Sequence, residues 1–169
     1  MPTESNMADH KFQQDYLLLS QKWKEQYGWE LFIPLSAADQ YNFNQIHIPI
    51  TDSQPEFDQL VLSLVKVLID SLNEKELQNQ LRTGDSLKGI SKLEKWLEHQ
   101  GKDDYSDHIK FLRDLQELRS TGTGHRKGKS YIKIAREFGL DDYSLTDVFE
   151  IILQKADGFL IYLTKTFLQ

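Results

Sequence analysis

The chain has 169 residues, 39 % hydrophobic and 27 % charged, which is enough for one compact domain with its own core. A net charge of -6 excludes a general polyanion binder, and the lack of cysteine excludes disulfides and thiolate metal sites. A mean hydropathy of -0.54, with only short apolar runs, excludes a membrane-spanning chain. A cysteine-free chain also fits a cytoplasmic protein, and the start, MPTESNMADHKF, reads as a frayed end without a secretory leader.

The first predicted element is a helix over about 9–26. Phe12, Tyr16, Leu19 and Trp23 recur every three or four residues, and Gly28 ends it. Residues 29–50 lose that period, and Pro34 and Pro49 rule out a continuous helix. NQIHIPI alternates, with Ile46, Ile48 and Ile50 on one side. It predicts a short strand or an extended arm over the core, at most a small hairpin with ELFIPL.

SQPE, Ser53 to Glu56, is a capping box with proline in the first turn. It opens a core helix marked by Phe57, Leu60, Val61, Leu64, Val65, Leu68 and Leu72, and NEKELQNQLRTGD continues as a polar helical piece to near Gly84. A shorter helix from Leu87 to about Leu97 uses Leu87, Ile90, Leu93 and Leu97. GKDDYSD is a turn, and a helix over about 105–119 turns Ile109, Leu112, Leu115 and Leu118 inward. After a polar loop, YIKIAREFGL makes a short helix. SLTD, Ser144 to Asp147, starts a last helix to about 167.

No repeat, low-complexity segment or linker divides the chain. The expected fold is all-α: an up-and-down bundle of about five core helices, with an N-terminal helix and a short extended or β-hairpin-like arm. Residues 1–52 form that helix and arm and 53–169 the bundle, packed as a single globular domain.

The chemistry concentrates in RSTGTGHRKGKS, residues 119–130. Six cations, Arg119, Arg126, Lys127, Lys129, Lys133 and Arg136, lie between 119 and 136 with no acid among them, while all 26 acids lie elsewhere. Such a patch on an acidic body attracts phosphate, or it is a solvated basic turn. The ending GKS mimics a P-loop, but that motif needs glycine at 123, where Thr123 stands. The preceding HIKFLRDLQELR has a helical period, and no strand–helix alternation supplies the parallel sheet a P-loop requires.

The same stretch holds an arginine and a histidine: Arg119, then STGTG, then His125. Arg119 projects from the last turn of one helix, and the glycines let the backbone fold back so that His125 faces the same cleft. A permanently charged guanidinium grips phosphate, and an imidazole donates or accepts a proton near neutral pH. Together they suit metal-independent RNA cleavage, although His125 also fits a helix cap. Ser120, Thr121 and Thr123 add hydroxyls to this substrate-binding stretch. Lys127 and Lys129 read as electrostatic guides, and Arg126 either assists Arg119 or pairs with an acid such as Glu137. Tyr131 either meets a base or phosphate or seats the next helix.

Elsewhere the signals are structural. His10, His47, His99 and His108 are dispersed, His108 and Arg113 face different parts of their helix, and no metal set or cofactor is expected. The adjacent acids of KDD, 102–104, and LDDY, 140–143, read as turns and dipole partners. Trp23, Trp29 and Trp96 read as core or interface packing.

The R-x4-6-H pair Arg119–His125, set in an all-helical chain with an amphipathic helix before it and a basic helix after it, resembles the HEPN family of prokaryotic toxin and defence systems and several eukaryotic RNases. The string LRSTGTGHRKGKSY, Leu118 to Tyr131, resembles a version seen in uncharacterised bacterial HEPN-like proteins, and helix order extends the likeness over roughly 55–167. The resemblance implies a helical bundle that dimerises and joins two Arg–His pairs in one cleft. Arg119 would stabilise the scissile phosphate and His125 handle a proton, without metal. Many active members carry Asn, Asp or His directly after the arginine, and here Ser120 takes that place. The implied partners are RNA or nucleotide, a second copy of the chain, and a nucleotidyltransferase-type antitoxin. The family also contains non-catalytic modules that bind RNA, nucleotide or proteins, which is the alternative expectation for this chain, as one part of a larger bacterial protein.

Overall fold

Helix-start signals in the sequence become caps in the fold. The computed structural model describes residues 7–81, 86–122 and 128–169. Among them lie eight α-helices and no strand: α1 Ala8–Tyr27, α2 Ala37–Asn44, α3 Gln54–Val65, α4 Glu74–Leu81, α5 Gly89–His99, α6 Ser106–Gly122, α7 Lys129–Glu137 and α8 Leu145–Phe167. The fold is an all-α helical bundle. Ser53 Oγ accepts the Glu56 amide at 3.4 Å to open α3, and Ser144 Oγ accepts the Asp147 amide at 3.1 Å to open α8. The Glu56 carboxylate reaches back past the cap to the amides of Thr51 and Ile50, and the Thr51 amide foremost holds its pKa below the usual range.

α8 carries the broadest apolar face, burying Val148, Phe149, Ile152, Leu153, Ala156, Phe159, Leu160 and Leu163, and α1, α3 and α6 pack against it. α4 and α5 form a helical pair at the side, and α7 lies on α6. α1 and α8 form the most extensive seam and run the same way. Lys11 meets Asp157 near one end, and Gln26 Nε2 and the Tyr27 hydroxyl both donate to the Phe167 carbonyl at the other. That end is filled by Trp23, Trp29, Trp96 and Phe167, with Trp23 and Trp96 almost fully buried, so these tryptophans are packing residues.

The stretch 29–50 departs from expectation. Its middle is helical: α2 starts at Ser36, whose Oγ accepts the Asp39 amide at 3.2 Å. Residues 45–50 form no strand, and the hairpin with ELFIPL does not form. The Ile48 amide instead donates to Asp9 Oδ2 at 3.0 Å, and Gln13 Nε2 donates to the Ile46 carbonyl at 3.0 Å. ELFIPL finds its partner at 71–73: Phe32 bridges Leu72, Ile33 N donates to Ser71 O at 2.7 Å, and Asn73 N donates to Leu31 O at 2.9 Å.

The long core helix is also shorter than its stripe. After α3 the backbone widens into a π-helical turn, Lys66–Asp70, which buries the consecutive residues Val67, Leu68 and Ile69. The Val67 carbonyl in that turn accepts hydroxyls from Tyr16 and Ser71. Burial pushes the Tyr16 phenol up to about 12. The polar piece is then a separate helix, started by Asn73 Oδ1 accepting the Glu76 amide at 3.1 Å. Its expected stop near Gly84 lies outside the described residues, and Leu87 precedes α5 rather than joining it.

Candidate functional site

α6 reaches its C-terminal turn with Leu115 and Leu118 buried, and this register turns Arg119 out to the bundle edge, 22 % exposed. There the guanidinium lines a cleft of about 300 Å³ between α3 and α6, with Pro55, Asp58, Gln59, Leu118 and Gly122. The expected placement of Arg119 in the last helical turn is what the fold contains. Sequence reasoning missed its partner: Arg119 Nη1 donates to Asp70 Oδ2 at 2.7 Å. Asp70 ends the π-helical turn, and nothing in its local sequence sets it apart from other surface acids.

The next two residues turn inward on their own helix. Ser120 Oγ donates to the Glu117 carbonyl at 3.2 Å and Thr121 Oγ1 to the same carbonyl at 2.6 Å. Thr123, His125, Arg126 and Lys127 lie outside the described residues, so the convergence of Arg119 and His125 does too. Glu137, the acid suggested for Arg126, lies 3.7 Å from Lys110 Nζ.

Lys129 is exposed in the first turn of α7. Tyr131 seats that helix: its ring is 6 % exposed, and its hydroxyl accepts Gln54 Nε2 at 2.7 Å. Burial, foremost, raises its pKa. Gln54 Nε2 also donates to Asp58 Oδ1 at 2.8 Å, so a chain of hydrogen bonds runs from α7 to the rim of the Arg119 cleft. Of the two readings of Tyr131, the burial of its side chain and its bond to Gln54 fit the one in which it seats the next helix. Chemically, the described part of the site presents a fixed guanidinium in a cleft, with a carboxylate as its resting counter-ion.

Other charged candidates are accounted for by packing. The His108 ring stacks on Tyr162 at 4.8 Å, and burial lowers its pKa, while Arg113 turns to Glu94 at 3.0 Å. Asp103 offers its carbonyl to the Tyr162 hydroxyl, and Asp141 pairs with Arg136. Among the described residues no helix is long and apolar enough to cross a membrane.

No protein-family model, curated protein or solved structure matches the chain.

Proposed function

We propose that the chain is a HEPN-like, metal-independent endoribonuclease of a toxin or defence system, acting as a dimer on RNA. The observation that carries this reading is Arg119 in the last turn of α6, held in a cleft by Asp70 at 2.7 Å, just ahead of the segment that bears His125. In the proposed reaction the 2′-oxygen attacks the adjacent phosphorus as its proton leaves, and the bond from phosphorus to the 5′-oxygen breaks. Arg119 exchanges Asp70 for the phosphate, whose negative charge grows in the transition state. His125 takes the 2′-hydroxyl proton and returns a proton to the leaving 5′-oxygen, and the products are a 2′,3′-cyclic phosphate and a 5′-hydroxyl. A second copy would complete the cleft, and a nucleotidyltransferase-type protein is the proposed antitoxin.

The test is digestion of RNA in chelator. Wild type should leave 2′,3′-cyclic ends, and His125→Ala and Arg119→Ala should each cut at least about a hundredfold more slowly. Cutting that survives both substitutions rejects the proposal.

The Asp70 ion pair favours a second reading, a non-catalytic RNA- or nucleotide-binding module of a larger protein. A guanidinium with a carboxylate already in place is suited to reversible phosphate exchange. On this reading RNA binds, binding weakens with salt and in Arg119→Ala, and no strand is broken.

A further inference from the structure

We propose that the outer face of α7 is a track for the sugar–phosphate backbone of a nucleic-acid strand that leads to the Arg119 cleft. The proposal rests on reading 119–130 as the RNA-facing segment, and it extends that surface to Ile132, Lys133 and Arg136.

α7 has two sharply different sides. Tyr131, Ile134 and Ala135 are buried, while Lys129, Ile132, Lys133 and Arg136 form one continuous exposed arc. These four, with Glu137, line a shallow depression of about 390 Å³. Lys129 and Lys133 have no ion-pair partner among the described residues, unlike Lys11, Lys110 and Arg113, which sit against carboxylates. Arg136 pairs through Nε with Asp141, and both side chains are largely exposed, so this pair opens readily to a competing phosphate. Glu137 at the edge of the arc is turned toward Lys110.

A cationic stripe with two of its three charges unpaired and the third in an exposed pair, on a chain of net charge -6, calls for a polyanion. A lipid surface fits poorly. Ile132, 47 % exposed, is the one apolar side chain on the arc, and burying it gains only about 1.5–3 kcal/mol, too little to hold a nine-residue helix at an interface. A nucleic-acid strand suits the combination better. Its phosphates meet Lys129, Lys133 and Arg136, and a base face covers Ile132. The Tyr131–Gln54–Asp58 hydrogen bonds fix the head of this stripe against the rim of the Arg119 cleft, so one strand can engage both.

The experiment is fluorescence anisotropy of a short labelled single-stranded RNA across a salt series. Lys129→Glu with Lys133→Glu should weaken binding by more than about tenfold at low salt and reduce the slope of log affinity against log salt by about two. Ile132→Ala should weaken binding a few-fold with the slope unchanged. Lys22→Glu with Lys24→Glu, the same charge change on α1, should do far less. Affinity and slope unchanged in the α7 pair overturn the track, as does α7-dependent binding to phosphatidylserine vesicles without RNA binding. Intact RNA alongside α7-dependent binding defeats the nuclease reading and leaves the track standing.

Discussion

A guanidinium and a carboxylate 2.7 Å apart, the carboxylate 44 % exposed, form a pair that adds little to stability. Pairs of this exposure contribute about 0–1 kcal/mol. Asp70→Asn should therefore leave the unfolding free energy within about 1 kcal/mol of wild type. The same change releases Arg119 from its counter-ion, so RNA affinity should rise a few-fold where Arg119→Ala lowers it. Melting curves and anisotropy on the two variants check this, and an Asp70→Asn protein that binds RNA more weakly contradicts the picture of Asp70 as a competitor. Tyr131 is the contrasting case. Its hydroxyl serves Gln54 inside the fold, so Tyr131→Phe should cost about 1 kcal/mol of stability and leave the salt dependence of RNA binding unchanged.

Among the elements, those with a buried stripe were legible in the chain even where, as in α1, α5 and α7, no side chain caps the start, and α2, which has a cap but no stripe, was not. α1, α3 and α6 bury the residues their spacing predicts within them, because burying one continuous face dominates the local energetics. α2 was missed because its eight residues bury only Asn42 and Phe43, which makes no stripe. The signal present was Ser36 followed three residues later by Asp39. The π-helical turn was hidden for the opposite reason: a run as apolar as Val67–Leu68–Ile69 fits a continuous helix equally well, and the widening depends on hydroxyls brought by Tyr16, 51 positions away, and by Ser71. The site divides the same way. Arg119 at a helix end was readable, whereas Asp70, 49 positions distant, is a product of packing alone. At this scale the caps are testable: Ser144→Ala should destabilise by about 1 kcal/mol in denaturant unfolding, and Ser144→Asp should restore most of it.

Across the whole molecule, the α1–α8 seam carries an unusual burden. Lys11 Nζ bridges Asp15 and Asp157, each at 2.7 Å, and Asp157 is only 8 % exposed. Burial, and then its hydrogen bond with Asp15, push the Asp157 carboxyl up from 3.8 to about 6. The folded state thus favours the protonated form. The stabilisation this provides is full below the ordinary carboxyl pKa and is lost as pH rises from about 4 to about 6. Asp157→Asn, which stays neutral, should not share that loss. Relative to it, wild type should lose roughly 2 kcal/mol of unfolding free energy between pH 4 and pH 7. A pH-independent difference between the two proteins in urea unfolding contradicts the assignment.

That seam joins the helix made early to the helix made late. During synthesis the apolar side of α1, with Phe12, Tyr16, Leu19 and Trp23, waits for more than a hundred further residues before its principal cover leaves the ribosome. A nascent chain stalled before Leu145 therefore presents an aromatic-rich helix to the cell, a natural target for chaperones and proteases, and final closure of the bundle falls after translation of its last helix.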